Sequence, residues 1–243
     1  MLVVFTVGCS GSGAFRSIAP ATEPRLSARP HAHVSAGQCA PGEHELRISR
    51  ERRALLRVSP ASGGASRAFL LALHGAGSGG APGGLWAFRG AWGIPDLVIV
   101  APAAAGSAWT TGSTDVGFVD RTLRAAFARC LVDPRRVAIG GFSSGAGMTL
   151  WLGLANGDLF KSLLVFSGGG SLPSERVGKP RVFVAHGTSD TVIPIEFGGD
   201  AIVKSLRSDG YDVTYRRFDG GHRVLPSLAR AAVLAEVMRP RHG

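Results

Sequence analysis

The stretch Arg136-Val137-Ala138-Ile139-Gly140-Gly141-Phe142-Ser143-Ser144-Gly145 decides the fold. Its first five residues read as a buried strand, and a helical pattern runs through residues 145–156. Between them, Gly141-Phe142-Ser143-Ser144-Gly145 fits G-x-S-x-G in a strand-turn-helix setting. A serine at the tip of so tight a turn stands clear of the sheet, and the residues two before and two after it must be small to avoid collision. Ser143 then sits at a helix amino terminus, whose dipole and free N–H groups favour a developing negative charge. The pattern alone is a weak signal in a chain with 35 glycines; its placement after a buried strand strengthens it.

Outward from this point, short β-rich runs alternate with amphipathic segments, which predicts an α/β architecture with a largely parallel sheet. Strands are expected at 45–49, 54–58, 68–73, 97–101, 136–140, 162–166, 181–185 and 212–216, and helices at 116–131, 145–156, 196–209 and 226–238. Phe69-Leu70-Leu71-Ala72-Leu73 and Leu97-Val98-Ile99-Val100 are continuously apolar, as strands buried on both faces are.

A serine is not nucleophilic at neutral pH without a base, which is sought among the histidines downstream. His31 and His33 lie before the folded part, His44 precedes the first strand, and His242 is the penultimate residue. His186 follows a strand directly and reads as a structural turn residue. His222, in Asp219-Gly220-Gly221-His222 after the last strand, falls in a loop that leans over the carboxyl edge of the sheet. The orienting carboxylate belongs between Ser143 and His222 at a strand end, and Asp190 in His186-Gly187-Thr188-Ser189-Asp190 meets both conditions. Asp158 follows a helix and Asp200 and Asp209 fall within one, so capping or solvated surface is their expected role.

Over roughly residues 68–238 these motifs, in this order, resemble the α/β-hydrolases, nearest the lidless serine esterases grouped as phospholipase/carboxylesterase, dienelactone hydrolase and polyhydroxybutyrate depolymerase-like proteins. The resemblance implies a mostly parallel central sheet flanked by helices, no cap domain, and cleavage of carboxylic esters through an acyl-enzyme by Ser143, His222 and Asp190. Leu73-His74-Gly75-Ala76-Gly77 is similar to the family's first-strand turn, which assigns the oxyanion N–H groups to Ala76 and Ser144. Asp115-Val116-Gly117-Phe118-Val119 and Val132-Asp133-Pro134-Arg135-Arg136-Val137 resemble the depolymerase and feruloyl esterase branch, whereas Ser144 and Ala146 stand where that branch has Asn and Gly. No cofactor and no metal is implied. The same triad serves peptidases and acyltransferases, and the fold also serves non-catalytic binding proteins.

Loop lengths bear on the substrate. Only 14 residues, 167–180, separate the strands where many esterases insert a cap, so an open site is expected for small-molecule or polymeric esters. Trp109, in the loop after the strand at 97–101, is expected to line an acyl or aryl pocket, with Trp86, Phe88 and Trp92 as weaker candidates. The glycine-rich run from Gly75 to Gly84 lacks the Lys-Ser/Thr ending of a P-loop and reads as a loop rather than a nucleotide site.

With 243 residues, 45% of them hydrophobic, the chain is long enough for one substantial core, placed at 39–243 after a segment 1–38 expected to be signal-like and then disordered. No run of 18 apolar residues is present, so a membrane-spanning helix is excluded. The net charge of +10 raises nucleic acid as a partner. Yet Lys161, Lys179 and Lys204 are the only lysines, the arginines are scattered, and no binding motif accompanies them. The codon usage of a GC-rich genome accounts for that excess better than nucleic-acid binding does.

Met1 to Gly8 is an apolar run ending at Cys9, with Ser10-Gly11-Ser12-Gly13 as a tether. It resembles the end of a bacterial lipoprotein signal, with Thr6 where Leu is usual and no basic start, and it points to export and a lipid anchor at Cys9. Cys39 and Cys130 are then either a disulfide, whose 91-residue loop is worth roughly 4 kcal/mol, or two buried thiols of a cytosolic protein.

Overall fold

In a computed structural model, the protein is described over residues 24–34, 39–63, 66–111 and 114–239. The expected segment at 1–23, with Cys9, and His242 lie outside the described residues. Eight strands form one sheet: β1 Gly42–Arg47, β2 Arg53–Val58, β3 Arg67–Leu73, β4 Leu97–Pro102, β5 Val132–Phe142, β6 Ser162–Phe166, β7 Arg181–Gly187 and β8 Val213–Phe218. They lie in the order β1-β2-β4-β3-β5-β6-β7-β8. The first two join antiparallel and the rest run parallel. β3 and β4 are buried at every residue, which is why their sequences are continuously apolar, whereas β2 near the edge alternates.

Helices cover both faces. α2 Asp115–Arg129, α3 Ser144–Ala155 and α4 Gly199–Ser208 pack on one, sharing a core with Phe69, Leu71, Ile139 and Val184. α1 Ala81–Ala87 and α5 Pro226–Ala232 pack on the other against Leu70, Ile99, Leu164 and Phe183. α4 buries only Ile202, Val203, Leu206 and Gly199, the stripe its pattern predicts, while α3 is buried almost all round. This is the α/β-hydrolase arrangement that the resemblance implied. The loop 167–180 carries no helix.

Three local differences from expectation have physical causes. α1 falls within a run read as loop: it is seven residues long and contains Pro82, Gly83 and Gly84, so propensity argues against it. Close packing decides instead, since a Cβ on Gly84 would come within 2.7 Å of the Ala72 carbonyl oxygen. β5 begins at Val132, before the expected residue 136, because Val132 pairs with Arg67 across a register shift. The last helix, expected to run evenly over 226–238, loosens into a π-type turn over Val233–Val237.

Part of the segment expected to be disordered is packed. Leu26 and Ala28 are buried in the core shared with α2 and α3. The Leu26 N–H donates to Asn156 Oδ1 at 2.8 Å, and the Asn156 amide donates back to the Pro24 carbonyl. The Ser27 and Ala28 N–H groups donate to Asp120 Oδ1 at 2.7 and 2.8 Å. Side-chain oxygens of the helices thus take the place of a neighbouring strand. Arg25 and Arg29 both pair with Asp158, and Arg25 also donates to the Ala155 carbonyl at the end of α3, where positive charge meets the helix dipole. Of the two readings of the cysteines, the disulfide is the one found: Cys39 is bonded to Cys130.

Two predictions follow from these ties. Replacing both Cys39 and Cys130 by Ala lowers the free energy of unfolding by about 4 kcal/mol, measured by denaturant titration, since the closed loop spans 91 residues. Burial raises the Asp158 carboxyl, but Arg25 and Arg29 outweigh it and hold the group at about 2 against an ordinary 3.8. A carboxyl depressed by folding stabilises the protein above its unfolded pKa and loses that effect as pH falls through the folded one. Wild type therefore exceeds Asp158→Asn in thermal stability by a steady margin above pH 3.8, and the margin closes as pH falls toward 2.

Candidate active site

β5 enters α3 through Ser143, whose φ of 54° and ψ of −119° lie in a region that costs of order 1–3 kcal/mol for a residue with a Cβ. Neighbouring contacts hold it there. The Ser143 N–H donates to the Phe166 carbonyl of β6 at 3.0 Å, and a Cβ on Gly141 would overlap the carbonyl of Gly145. A Cβ on Gly145 would lie 2.5 Å from the carbonyl oxygens of both Leu73 and His74, so only glycine lets α3 seat against the end of β3. Ser143 is half-buried, and its carbonyl accepts the N–H groups of Ala146 and Gly147. The Ser144 N–H is one of the donors a helix leaves without an internal acceptor.

Ala76 stands in the exposed turn after β3. The turn is set by His74, a residue that motif matching passes over as part of a signature. The Ala104 N–H donates to His74 Nε2 at 3.0 Å, so the proton is on Nδ1, which donates to the Gly75 carbonyl at 2.8 Å. The Gly75–Ala76 peptide is planar and trans, so the Ala76 N–H points away from that ring. Trp109, expected to line a substrate pocket, is instead buried in the core with its ring 5.2 Å from His74. Phe88 is likewise core, against Phe166, and Trp92 packs beneath Trp86.

Asp190 and His222 meet across a glycine. A Cβ on Gly187, at the end of β7, would overlap the Gly220 carbonyl and lie 2.5 Å from that of Gly221. Without one, the loop after β8 lies flat on the loop after β7, with the Ser189 N–H donating to the Gly220 carbonyl at 2.9 Å. His222 Nδ1 then donates to Asp190 Oδ2 at 2.8 Å. The imidazole leans on Phe142 with ring centres 4.8 Å apart, and the Ser167 hydroxyl donates to the Arg223 carbonyl next in the chain.

Asp190 is buried, and its donors come from its own turn and from the facing histidines. Oδ1 accepts the N–H groups of Val192 and Ile193, each at 2.9 Å. Oδ2 accepts His222 and lies 3.2 Å from Nε2 of His186. Burial pushes this carboxyl up, but the Ile193 N–H, His222 and the Val192 N–H outweigh it and hold it below the usual carboxylate range. His186, expected to be a plain turn residue, is therefore part of the site. The Gly199 N–H donates to its Nδ1 at 3.1 Å, so its proton is on Nε2, aimed at the Ile193 carbonyl and at Asp190. The available signal was the four-residue step from His186 to Asp190. The rival carboxylates are committed elsewhere: Asp200 to Tyr215 and Arg217, Asp209 to Arg176, Asp158 to the arginines of the packed segment. Asp115 and Asp133, from the family-like motifs, serve structure, binding Arg52 with the Ala105 N–H, and Arg135 with Arg136. Among the described residues no group of three His, Cys, Asp or Glu is placed to hold a metal ion.

This geometry predicts the behaviour of Gly187→Ala. The added methyl forces the two loops apart, which costs ~1–3 kcal/mol of stability by overpacking. The downfield Nδ1 proton resonance of a histidine bonded to a buried carboxylate, present in wild type, is lost in the variant's NMR spectrum.

Residues 113–231 match the model of the phospholipase/carboxylesterase family. A probable feruloyl esterase C of Aspergillus clavatus is 29% identical over 115 residues, 46% of this chain and 42% of that protein. Acyl-protein thioesterase 1 of Gibberella zeae is 30% identical over 103 residues, 38% of this chain and 43% of that protein. The chain thus aligns with less than half the length of these curated relatives. Among solved structures, esterase PE8 superposes with a TM-score of 0.60 at 24% identity, covering 73% of this chain and 96% of that one.

Proposed function

We propose that the chain, which has the α/β-hydrolase fold and matches the phospholipase/carboxylesterase family over residues 113–231, is a serine hydrolase of carboxylic esters. The observation that carries this reading is the 2.8 Å bond from His222 Nδ1 to a buried Asp190, in a loop whose ring leans on the residue before the strained Ser143. Ser143 Oγ attacks the ester carbonyl carbon while His222 Nε2 takes its proton. Asp190 holds the tautomer that leaves Nε2 free and stabilises the imidazolium. The N–H groups of Ala76 and Ser144 receive the charge on the carbonyl oxygen. As the intermediate collapses, His222 returns the proton to the leaving alcohol, and water then releases the acyl group by the same steps.

The similarity to a probable feruloyl esterase and to an acyl-protein thioesterase supports the ester class. The lack of a helix over 167–180 supports an open site for small or polymeric esters. Export is part of the proposal. A disulfide such as Cys39–Cys130 persists in oxidising compartments and is rare in the cytosol of most organisms, and the lipoprotein-like run at Cys9 is consistent with a membrane anchor there.

A fluorophosphonate probe labels Ser143 in the wild type, and Ser143→Ala abolishes both labelling and turnover, lowering kcat by on the order of 10⁶. Asp190→Asn lowers kcat by on the order of 10⁴, because the amide presents His222 in the wrong tautomer. Asp200→Asn and Asp158→Asn keep wild-type kcat. Absence of labelling in correctly folded wild-type protein identifies a binding protein instead and removes the hydrolase reading.

A further inference from the structure

Beside His222 lies a cleft of about 290 Å³ that the triad does not account for. It is lined by Ser78, Trp86, Arg89, Phe142, His222 and Arg223, and no carboxylate contributes to it. Trp86 is 59% exposed, the largest apolar side chain on the described surface to be so open. It is nonetheless held: its ring stands edge-on to Trp92 at 6.0 Å, and the Arg89 guanidinium lies 4.6 Å over it. Arg89 is fixed in turn by donating to the Trp86 carbonyl at 3.0 Å. Arg223 lies along Gly220, whose missing Cβ makes room for its guanidinium.

The charges of the cleft are unbalanced. Several arginines elsewhere pair with acids, as Arg52 does with Asp115, Arg136 with Asp133, Arg181 with Glu236 and Arg217 with Asp200. Neither Arg89 nor Arg223 has a carboxylate within 4 Å among the described residues. An exposed aromatic ring beside two guanidinium groups that meet no carboxylate suits a planar ring bearing a carboxylate, since stacking and N–H···O bonds are then made together. The cleft's position decides which half of a substrate it holds. His222 must pass its proton to the leaving oxygen, so the group attached to that oxygen lies next to the imidazole. Phe142 and His222 form the shared wall.

We propose that this cleft is the leaving-group subsite, and that it selects esters whose alcohol half is a planar ring carrying a carboxylate, held by Trp86, Arg89 and Arg223. The proposal rests on the serine-hydrolase reading and names the substrate class of that site.

The test compares kcat/KM for 4-acetoxybenzoate with that for its neutral counterpart 4-acetoxybenzamide. Wild type prefers the anion by roughly tenfold or more, mostly through KM, as binding shared by ground and transition states requires. In Arg89→Ala/Arg223→Ala the preference collapses to about twofold or less, while Arg89→Lys/Arg223→Lys, which keeps the charge, retains most of it. Arg135→Ala, near the start of β5 and so at the amino edge of the parallel strands, keeps the full preference, which separates the cleft from general attraction by a chain of net charge +10. A carboxylate on the acyl half, in phenyl hydrogen succinate against phenyl butanoate, brings no comparable gain. Equal rates on the benzoate and benzamide esters in wild type overturn the proposal alone, whatever the variants do. An equal gain from the acyl carboxylate overturns the placement at the leaving group. No hydrolysis of any of these esters, with no fluorophosphonate labelling of Ser143, overturns the hydrolase reading and this proposal together, whereas labelling without hydrolysis overturns only this one.

Discussion

Gly145 rests against the carbonyl oxygens of Leu73 and His74 with no space for a Cβ between them, and the site hangs on that contact. It seats the first turn of α3 on the end of β3, which brings the Ser144 N–H and the turn carrying Ala76 to the same edge of the sheet. It also leaves Ser143 no relaxed conformation, so the strain at φ 54° is sustained by packing rather than by the serine's own preference. The central position of β3 and β5 makes this possible. Both are flanked on each side by hydrogen-bonded neighbours, so a local distortion cannot spread into the sheet.

A buried carboxylate is costly unless its charge is met by donors, and Asp190 meets that requirement with two backbone N–H groups and two imidazoles. The division of labour between the rings follows from their surroundings. His186 is walled in, with one nitrogen accepting from Gly199 and the other facing Ile193 and Asp190, so its proton has nowhere to go. His222 has one nitrogen on Asp190 and a side chain 15% exposed, and in the proposed reaction its remaining nitrogen moves the proton. One carboxylate thus serves an enclosed ring and a partly open one.

The inner strands were legible because they carry short apolar runs between turn residues, whereas the edge strand β1, Gly42–Arg47, is mostly polar and begins three residues before the run expected at 45–49. The pairing of Asp190 with His222 was legible because chain order and strand ends confine it. What sequence reasoning missed depends on contacts between distant segments. α1 forms against its own propensity because Gly84 fits closely against β3 and β4. Leu26 and Ala28 are ordered by Asn156 and Asp120, more than 90 residues away, within a stretch whose composition resembles a linker. Trp109 was placed on the correct edge of the sheet, but nothing in its neighbours reveals that His74 covers it. Trp86, the weaker candidate, reaches the cleft because it rides on the unforeseen α1.

The fold separates what stabilises it from what reacts. The Cys39–Cys130 bond closes at the end of α2 just before β5 begins, the Asp133 pairs with Arg135 and Arg136 lie at the start of β5, and the packed segment binds the end of α3 before β6. These ties gather at the amino edge of the parallel strands. Ser143, Asp190, His222 and the turn carrying Ala76 all follow strand carboxyl ends, where crossover connections leave loops free to converge. Covalent and ionic staples at one edge allow the other to carry a strained serine, a buried charge and two unneutralised arginines without loss of the fold. Each of those three features opposes stability by itself, so an edge that carries them together depends on the edge that does not.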